Sequence, residues 1–226
     1  MKTKMIVLAI CSTIAAHAQF TSGGGGAFSF GAMSVPLNKL APFSPGVEMP
    51  GNTAFSWGGY GYFQFQKVLV GFKGYGYYGN ILQNNDYTMS NDGGSFMLDL
   101  GYKIINQERL FVYPFVGGGI GGFSHSRTQK GNIDVIDGLM PTPNNFSANW
   151  VGAVFDVGFR VEKMMSMGER PKNERGGAFI GFEAGYQFSP ENNKWRTQGG
   201  GTVNNAPAFA FNGWYARATF GGFGGK

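Results

Sequence analysis

From Asn149 to Lys163 the chain reads NWVGAVFDVGFRVEK, and its side chains sort into two sets. Val151, Ala153, Phe155, Val157, Phe159 and Val161 form one, and Gly152, Val154, Asp156, Gly158, Arg160 and Glu162 alternate with them. Successive side chains of a β-strand point to opposite faces, so the pattern predicts a strand with one unbroken apolar face and one face of small and charged groups. AFIGFEAGYQF (178–188) repeats the design, setting Glu183 and Gln187 against Ile180, Phe182, Tyr186 and Phe188. In SFMLDLGYKII (95–105) Asp99 and Lys103 oppose Phe96, Leu98, Leu100, Tyr102 and Ile104. In the closing stretch Tyr215, Arg217 and Thr219 oppose Trp214, Ala216, Ala218 and Phe220. A strand of this kind faces two different surroundings, one apolar and one able to pair charges.

Four weaker strands, near 26–36, 53–66, 68–79 and 109–123, bring the set to an even eight. In 109–123 both faces are apolar or glycine, so its outward side is open at this level, and Pro114 withholds one ladder donor there. The connections alternate in length. Long ones (37–52, 80–94, 124–148 and 189–208) are separated by short ones at Lys67 and 106–108, with 164–177 as an unusually long member of the short set. Soluble sandwiches have no reason to grow loops on one side only, whereas outer-membrane barrels have short periplasmic turns and longer outer loops. Eight strands of roughly 10 residues suffice to cross an apolar band of about 25 Å at a tilt, and in hydrocarbon such a sheet has to close on itself. The predicted class is therefore all-β, a closed antiparallel eight-stranded transmembrane β-barrel.

The first twenty residues, MKTKMIVLAICSTIAAHAQF, place Lys2 and Lys4 before a short apolar run and end it with Ala16-His17-Ala18. This is the layout of a secretory signal peptide cut after Ala18, which leaves 19–226 as the barrel. Ile10 is a poor neighbour for a lipidated Cys11, so a lipid anchor is not expected. After Ala18 the chain has no cysteine, which excludes a disulfide framework. The formal charge of +5 is modest and scattered, and does not argue for nucleic acid. Aromatic residues make up 16% of the chain, which sets the 39 glycines apart from a disordered composition.

With this layout the chain resembles the small eight-stranded outer-membrane barrels of Gram-negative bacteria, of the OmpX and OmpA transmembrane-domain type. Gln19 as first mature residue and the Gly/Tyr/Asn-rich style resemble barrels of the Bacteroidota. No peptidoglycan-binding domain of the OmpA kind is expected after the barrel. The last strand resembles the C-terminal assembly signal of such barrels, with Trp214 and Phe220 as its aromatics; GGFGGK follows, so Phe223 is a second candidate for the end residue. The resemblance implies an outer-membrane location, contact with outer-membrane lipid and lipopolysaccharide, and handling by the barrel-assembly machinery during insertion.

Asp99, Lys103, Asp156, Arg160, Glu162, Glu183, Gln187, Tyr215 and Arg217 fall on expected inward faces and include both signs of charge. An eight-stranded barrel is just wide enough for side chains to fill it, so these residues are expected to form a salt-bridged plug rather than a pore. Among the tryptophans, Trp57, Trp150 and Trp214 suit membrane-interface girdles, while Trp195 falls in an outer loop. No cofactor is expected. GGGIGG (117–122) satisfies GxGxxG only formally, because it lies inside a strand with no helix after it, and metal-ligand spacing is absent.

His125, in GFSHSRT, is expected as an exposed residue at the base of an outer loop. Lipid A deacylases of the PagL type use a histidine, a serine and an acid at this level, but there one residue separates histidine from serine, whereas Ser126 here is adjacent. The function expected first is a structural or interaction role, without a pore and without catalysis, with recognition by the outer loops and docking beside a larger outer-membrane complex. The alternatives are a membrane-embedded enzyme acting on lipid A or phospholipid, and a soluble lipocalin-like binder.

Overall fold

The computed structural model describes residues 22–43, 51–79, 82–83, 87–107, 109–130, 145–165 and 175–225. The expected signal peptide and most of the turn at 164–177 lie outside these residues. Eight long strands make the wall: β1 (Ser22–Ser34), β2 (Thr53–Phe65), β3 (Val68–Tyr78), β4 (Tyr87–Tyr102), β5 (Leu110–Gln129), β6 (Phe146–Met165), β7 (Arg175–Phe188) and β8 (Gly213–Gly225). Each pairs antiparallel with the next in sequence. β8 then pairs with β1, Phe220 opposite Phe28 and Arg217 opposite Gly31, so the sheet closes. Three short strands, Leu82–Gln83, Ile105–Gln107 and Trp195–Thr197, add to the edges of β4, β5 and β6.

The faces divide as the alternation requires. Outward positions carry large apolar side chains, among them Phe63, Leu98, Ile120 and Trp214, each more than 60% exposed. Inward positions carry the buried polar set, including Lys73, Asp99, Asp156, Arg160, Glu183 and Arg217. This inside-out distribution is that of a transmembrane barrel: a water-soluble protein seldom exposes so wide an apolar belt. In β5, whose outward side the sequence leaves open, Phe111, Tyr113, Phe115 and Phe123 point inward and are buried, while Val116 and Ile120 face out. Pro114 lies one position past the last register pair between β4 and β5, Gly101 opposite Phe115.

The strands differ from the expected ones mainly in length. β4 begins at Tyr87, inside the expected loop 80–94; β5 continues to Gln129 and β6 starts at Phe146, inside the expected loop 124–148. In these extensions the outward face is Thr, Ser, Asn and Asp rather than apolar, so the alternation that marks a lipid-facing strand disappears while the hydrogen-bonded ladder goes on. At the other end β1 starts at Ser22 rather than Gly26, and the GGFGG tail belongs to β8, with Gly222, Phe223 and Gly224 opposite Gly26, Gly25 and Gly24.

Closure depends on the glycines of this seam, Gly31, Gly213 and Gly221 among them. A Cβ on Gly31 would lie 2.0 Å from the carbonyl oxygen of Ala216, and one on Gly221 would lie 2.0 Å from that of Gly26. Both obstacles are backbone and cannot rotate away. Gly31→Ala is therefore expected to destabilise the barrel by about 1–3 kcal/mol. Gly224→Ala, where a Cβ meets nothing within 4 Å, is expected to leave it unchanged. The check is the urea midpoint of the refolded proteins, read from the heat-sensitive band on an unboiled gel.

Candidate functional site: the filled lumen and its cap

At the end where β2 turns into β3, the carboxylate of Glu162 accepts hydrogen bonds from three tyrosines: Tyr60 at 2.8 Å, Tyr62 at 3.0 Å and Tyr113 at 2.5 Å. Nearby, the Lys103 ammonium donates to Gln64 Oε1 at 2.6 Å and sits 3.6 Å over the ring of Phe111. An ionised side chain leaves water only where charge-assisted hydrogen bonds or a ring face replace its hydration, and both devices operate here.

Further up the lumen the charges interlock. Arg160 donates through Nε to Glu183 at 2.5 Å and through Nη2 to Asp99 at 2.9 Å. Lys73 bridges Asp156 and Asp99, the latter at 3.1 Å. Arg217 reaches Glu183 through Nη1 at 2.9 Å and Ser56 through Nε at 2.9 Å, with its guanidinium 3.6 Å from the centre of the Tyr75 ring. Tyr215 donates to Asp156 at 2.9 Å. Tyr77 closes the layer, donating to Gln187 Oε1 at 2.9 Å with Ser95 Oγ 2.6 Å away. Among the described residues the buried lumen thus holds four fixed cations (Lys73, Lys103, Arg160, Arg217) and four carboxylates (Asp99, Asp156, Glu162, Glu183).

Above Tyr77 the filling becomes aromatic. A short 3-10 helix, Leu37–Phe43, and the segment 189–212 fold over the mouth. Phe209 and Phe211 are fully buried, with ring centroids 5.0 and 5.8 Å from that of Phe123. Trp195 packs edge-on against Phe43 at 4.9 Å and donates Nε1 to the carbonyl of Pro207 at 2.8 Å. Its place in an outer loop is thereby explained. An exposed ion pair, Lys39 to Glu191 at 2.5 Å, ties the two segments of the cap on its surface.

The structure brings together Asp99, Asp156, Arg160, Glu183, Tyr215 and Arg217 from the sequence-derived set, places Gln187 beneath the cap, and sets Lys103 and Glu162 in the lower layer. Lys73 was missed, along with Tyr60, Tyr62, Tyr75, Tyr77 and Tyr113. For Lys73 the signal was present: Leu69, Gly71, Lys73, Tyr75 and Tyr77 alternate with the outward Val70 and Phe72. Trp214 and Phe220 face outward, but Phe223 points inward, its ring 6.0 Å from that of Phe111, so the lipid-facing pattern of β8 ends at Phe220.

Two expectations are corrected. Trp150 is no girdle residue: it is completely buried in the cap. His125 is not exposed at a loop base. It is buried inside β5, with Nδ1 2.7 Å from Asn91 Oδ1 and its ring stacked on Phe43 at 5.6 Å, while Ser126 pairs with Ser147 on the opposite face at 3.2 Å.

Glu183 is shared by two guanidinium groups, so Glu183→Gln leaves both without their carboxylate. It is expected to cost about 3–5 kcal/mol. Lys39→Ala, which removes the exposed pair, is expected to cost no more than about 1 kcal/mol. Urea midpoints of the two variants against the parent check the contrast.

No protein-family model matches the chain, and no curated protein matches it. Among solved structures it is similar to Ail, the attachment invasion locus protein of Yersinia pestis, at 10% identity over 90% of this chain and 96% of that one, with a TM-score of 0.43. It is similar to Neisserial surface protein A at 12% identity over 90% and 96% of the two chains, TM-score 0.34. The N-terminal β-barrel domain of Pseudomonas aeruginosa OprF gives 12% identity over 91% and 99%, TM-score 0.36. These likenesses lend nothing to the resemblance to Bacteroidota barrels. The closed eight-stranded barrel stands on the register of this chain's own strand pairs.

Proposed function

We propose that this chain is an outer-membrane barrel with a structural or interaction role, closed to solutes, that meets its partners through its extracellular surface. The observation that carries this function is the reversal of faces. The outer wall is apolar and exposed while the interior holds the charges, an arrangement that is stable only where the outer wall meets hydrocarbon. The two-residue connection at 66–67, the start of β1, the end of β8 and the connection between Met165 and Arg175 lie at one rim, and the connections that follow β1, β3, β5 and β7 lie at the other. By the rule for bacterial barrels the long connections are extracellular.

The interior supports a plug rather than a channel. Among the described residues, paired charges fill the lower and middle lumen and the aromatic cap covers the mouth, which supports a lumen closed to solutes. Partners then reach the chain from outside: lipid and lipopolysaccharide around the wall, a larger outer-membrane protein at the cap, and the barrel-assembly machinery during insertion. The hydrolase alternative gains no support from the geometry, because a base has to reach the proton of its nucleophile and His125 points away from both neighbouring serines. The lipocalin-like alternative requires the apolar faces to point inward, the reverse of their placement.

In an outer-membrane fraction the protein is expected to migrate faster unboiled than boiled, and in planar lipid bilayers to produce no conductance steps. Recovery in the soluble fraction without a heat shift would overturn the membrane location. Reproducible conductance steps would overturn the closed lumen.

A further inference from the structure

Above the apolar belt, β4, β5 and β6 continue as a small sheet whose outward face has an unusual composition. One row across the strands is Asp92, Ser124, Asn149 and Arg196, each opposite the next. The row above it is Ser90, Ser126 and Ser147, and above that Thr88 stands opposite Thr128. Every side chain in the upper two rows is a hydroxyl, and the one acid and one base of the lowest row stand at its two ends. The turn after Thr197, with Gln198 and Gly199, overhangs this face and makes a groove of about 610 Å³. Arg127 also borders the groove, but its Nε is buried and its guanidinium lies 4.8 Å from the centre of the Tyr87 ring.

A protein partner is poorly matched to this surface, because protein interfaces depend on buried aromatic and large apolar anchors, and the one aromatic residue lining the groove, Phe146, already packs against Phe43 of the cap. A bare phosphate headgroup is poorly matched as well, since Arg196 stands at the end of its row and the Arg127 guanidinium lies over the Tyr87 ring, so the two form no cluster of cations. Hydroxyl and amide groups in a shallow groove are suited to a ligand that is itself a dense array of hydroxyls. The groove also continues directly onto the lipid-facing wall. Val151, 65% exposed, stands opposite Gly122, only two positions below the row of Ser124 and Asn149. That separation is about 7 Å along a strand. Any molecule seated there lies at the headgroup level of the lipid that touches the wall beneath it.

We infer that this groove binds the sugar headgroup of an outer-leaflet glycolipid whose acyl chains lie along β4, β5 and β6. Hydroxyls of Ser126 and Ser147 and the amides of Asn149 and Gln198 exchange hydrogen bonds with the sugar. The inference rests on the outer-membrane location proposed above and assigns the lipopolysaccharide contact named there to one groove on the outer face of β4, β5 and β6.

The test uses the mature chain in phosphatidylcholine nanodiscs, titrated with fluorescent rough lipopolysaccharide. Saturable binding is expected. The double variant Ser126→Val, Ser147→Val, with β-branched residues that suit a strand, is expected to weaken it about tenfold by removing two hydrogen-bonding groups. Gln198→Ala, which changes a turn outside the barrel wall, is expected to weaken binding even if the double variant does not fold. The inference is overturned if binding is not saturable, or if both Gln198→Ala and a folded double variant bind like the parent. Equal binding of phosphatidylglycerol would mean that charge rather than sugar is recognised, and equal competition by the delipidated core oligosaccharide would mean a site for free glycan; either result also overturns it. Absence of a heat shift in the parent protein would instead bring down the membrane location itself.

Discussion

A lumen only eight strands wide leaves little space for water beside a charge, and this constraint organises the molecule. Each ionised group has to be neutralised and hydrogen-bonded by another side chain, because removing one partner of a buried pair leaves a penalty of several kcal/mol. The chain meets the demand with few residues. Glu183 serves two arginines, Lys73 joins two aspartates, and Glu162, which has no cation within salt-bridge distance among the described residues, is held by three phenol hydroxyls. Tyrosine suits this role because one side chain supplies both the ring face that receives a guanidinium and the hydroxyl that a carboxylate needs.

The same constraint determines how much could be read from sequence. Where one face meets hydrocarbon and the other meets charge, as in β6 and β7, the alternation is complete and Asp156, Arg160, Glu162 and Glu183 can be assigned to the interior directly. Where the inward face is itself aromatic, as with Tyr113 and Phe115 in β5, the two faces look alike and a lumen hydroxyl is hidden among apolar letters. Where a strand leaves the bilayer, as in β5 beyond Phe123, the outward face turns polar and the strand reads as a loop. His125 illustrates the last case: flanked by serines it looks exposed, and only the ladder shows that the serines point out and the imidazole points in.

The capped end is accordingly built in two parts with different chemistry. On the lumen side Trp150, Trp195, Phe209 and Phe211 form an apolar core that needs no lipid to shield it. On the outer side the strands carry hydroxyls and amides. Residues of opposite character stand back to back on one sheet, Trp150 beside Asn149 and His125 beside Ser126, so the rim is at once a lid for the barrel and a wettable wall toward its surroundings. A single set of strands performs both tasks because its period of two separates them.

The equality of the buried charges also bears on how the protein responds to an electric field. Lys73, Lys103, Arg160 and Arg217 are matched by Asp99, Asp156, Glu162 and Glu183, so the lumen carries no net fixed charge among the described residues. A potential across the membrane does about 2.3 kcal/mol of work per 100 mV on one elementary charge that crosses it. Each layer is itself neutral, Lys103 with Glu162 below and three cations with three carboxylates above, so such a potential exerts no net force on either. The fixed charges of the lumen thus give a potential across the membrane no net charge to act on.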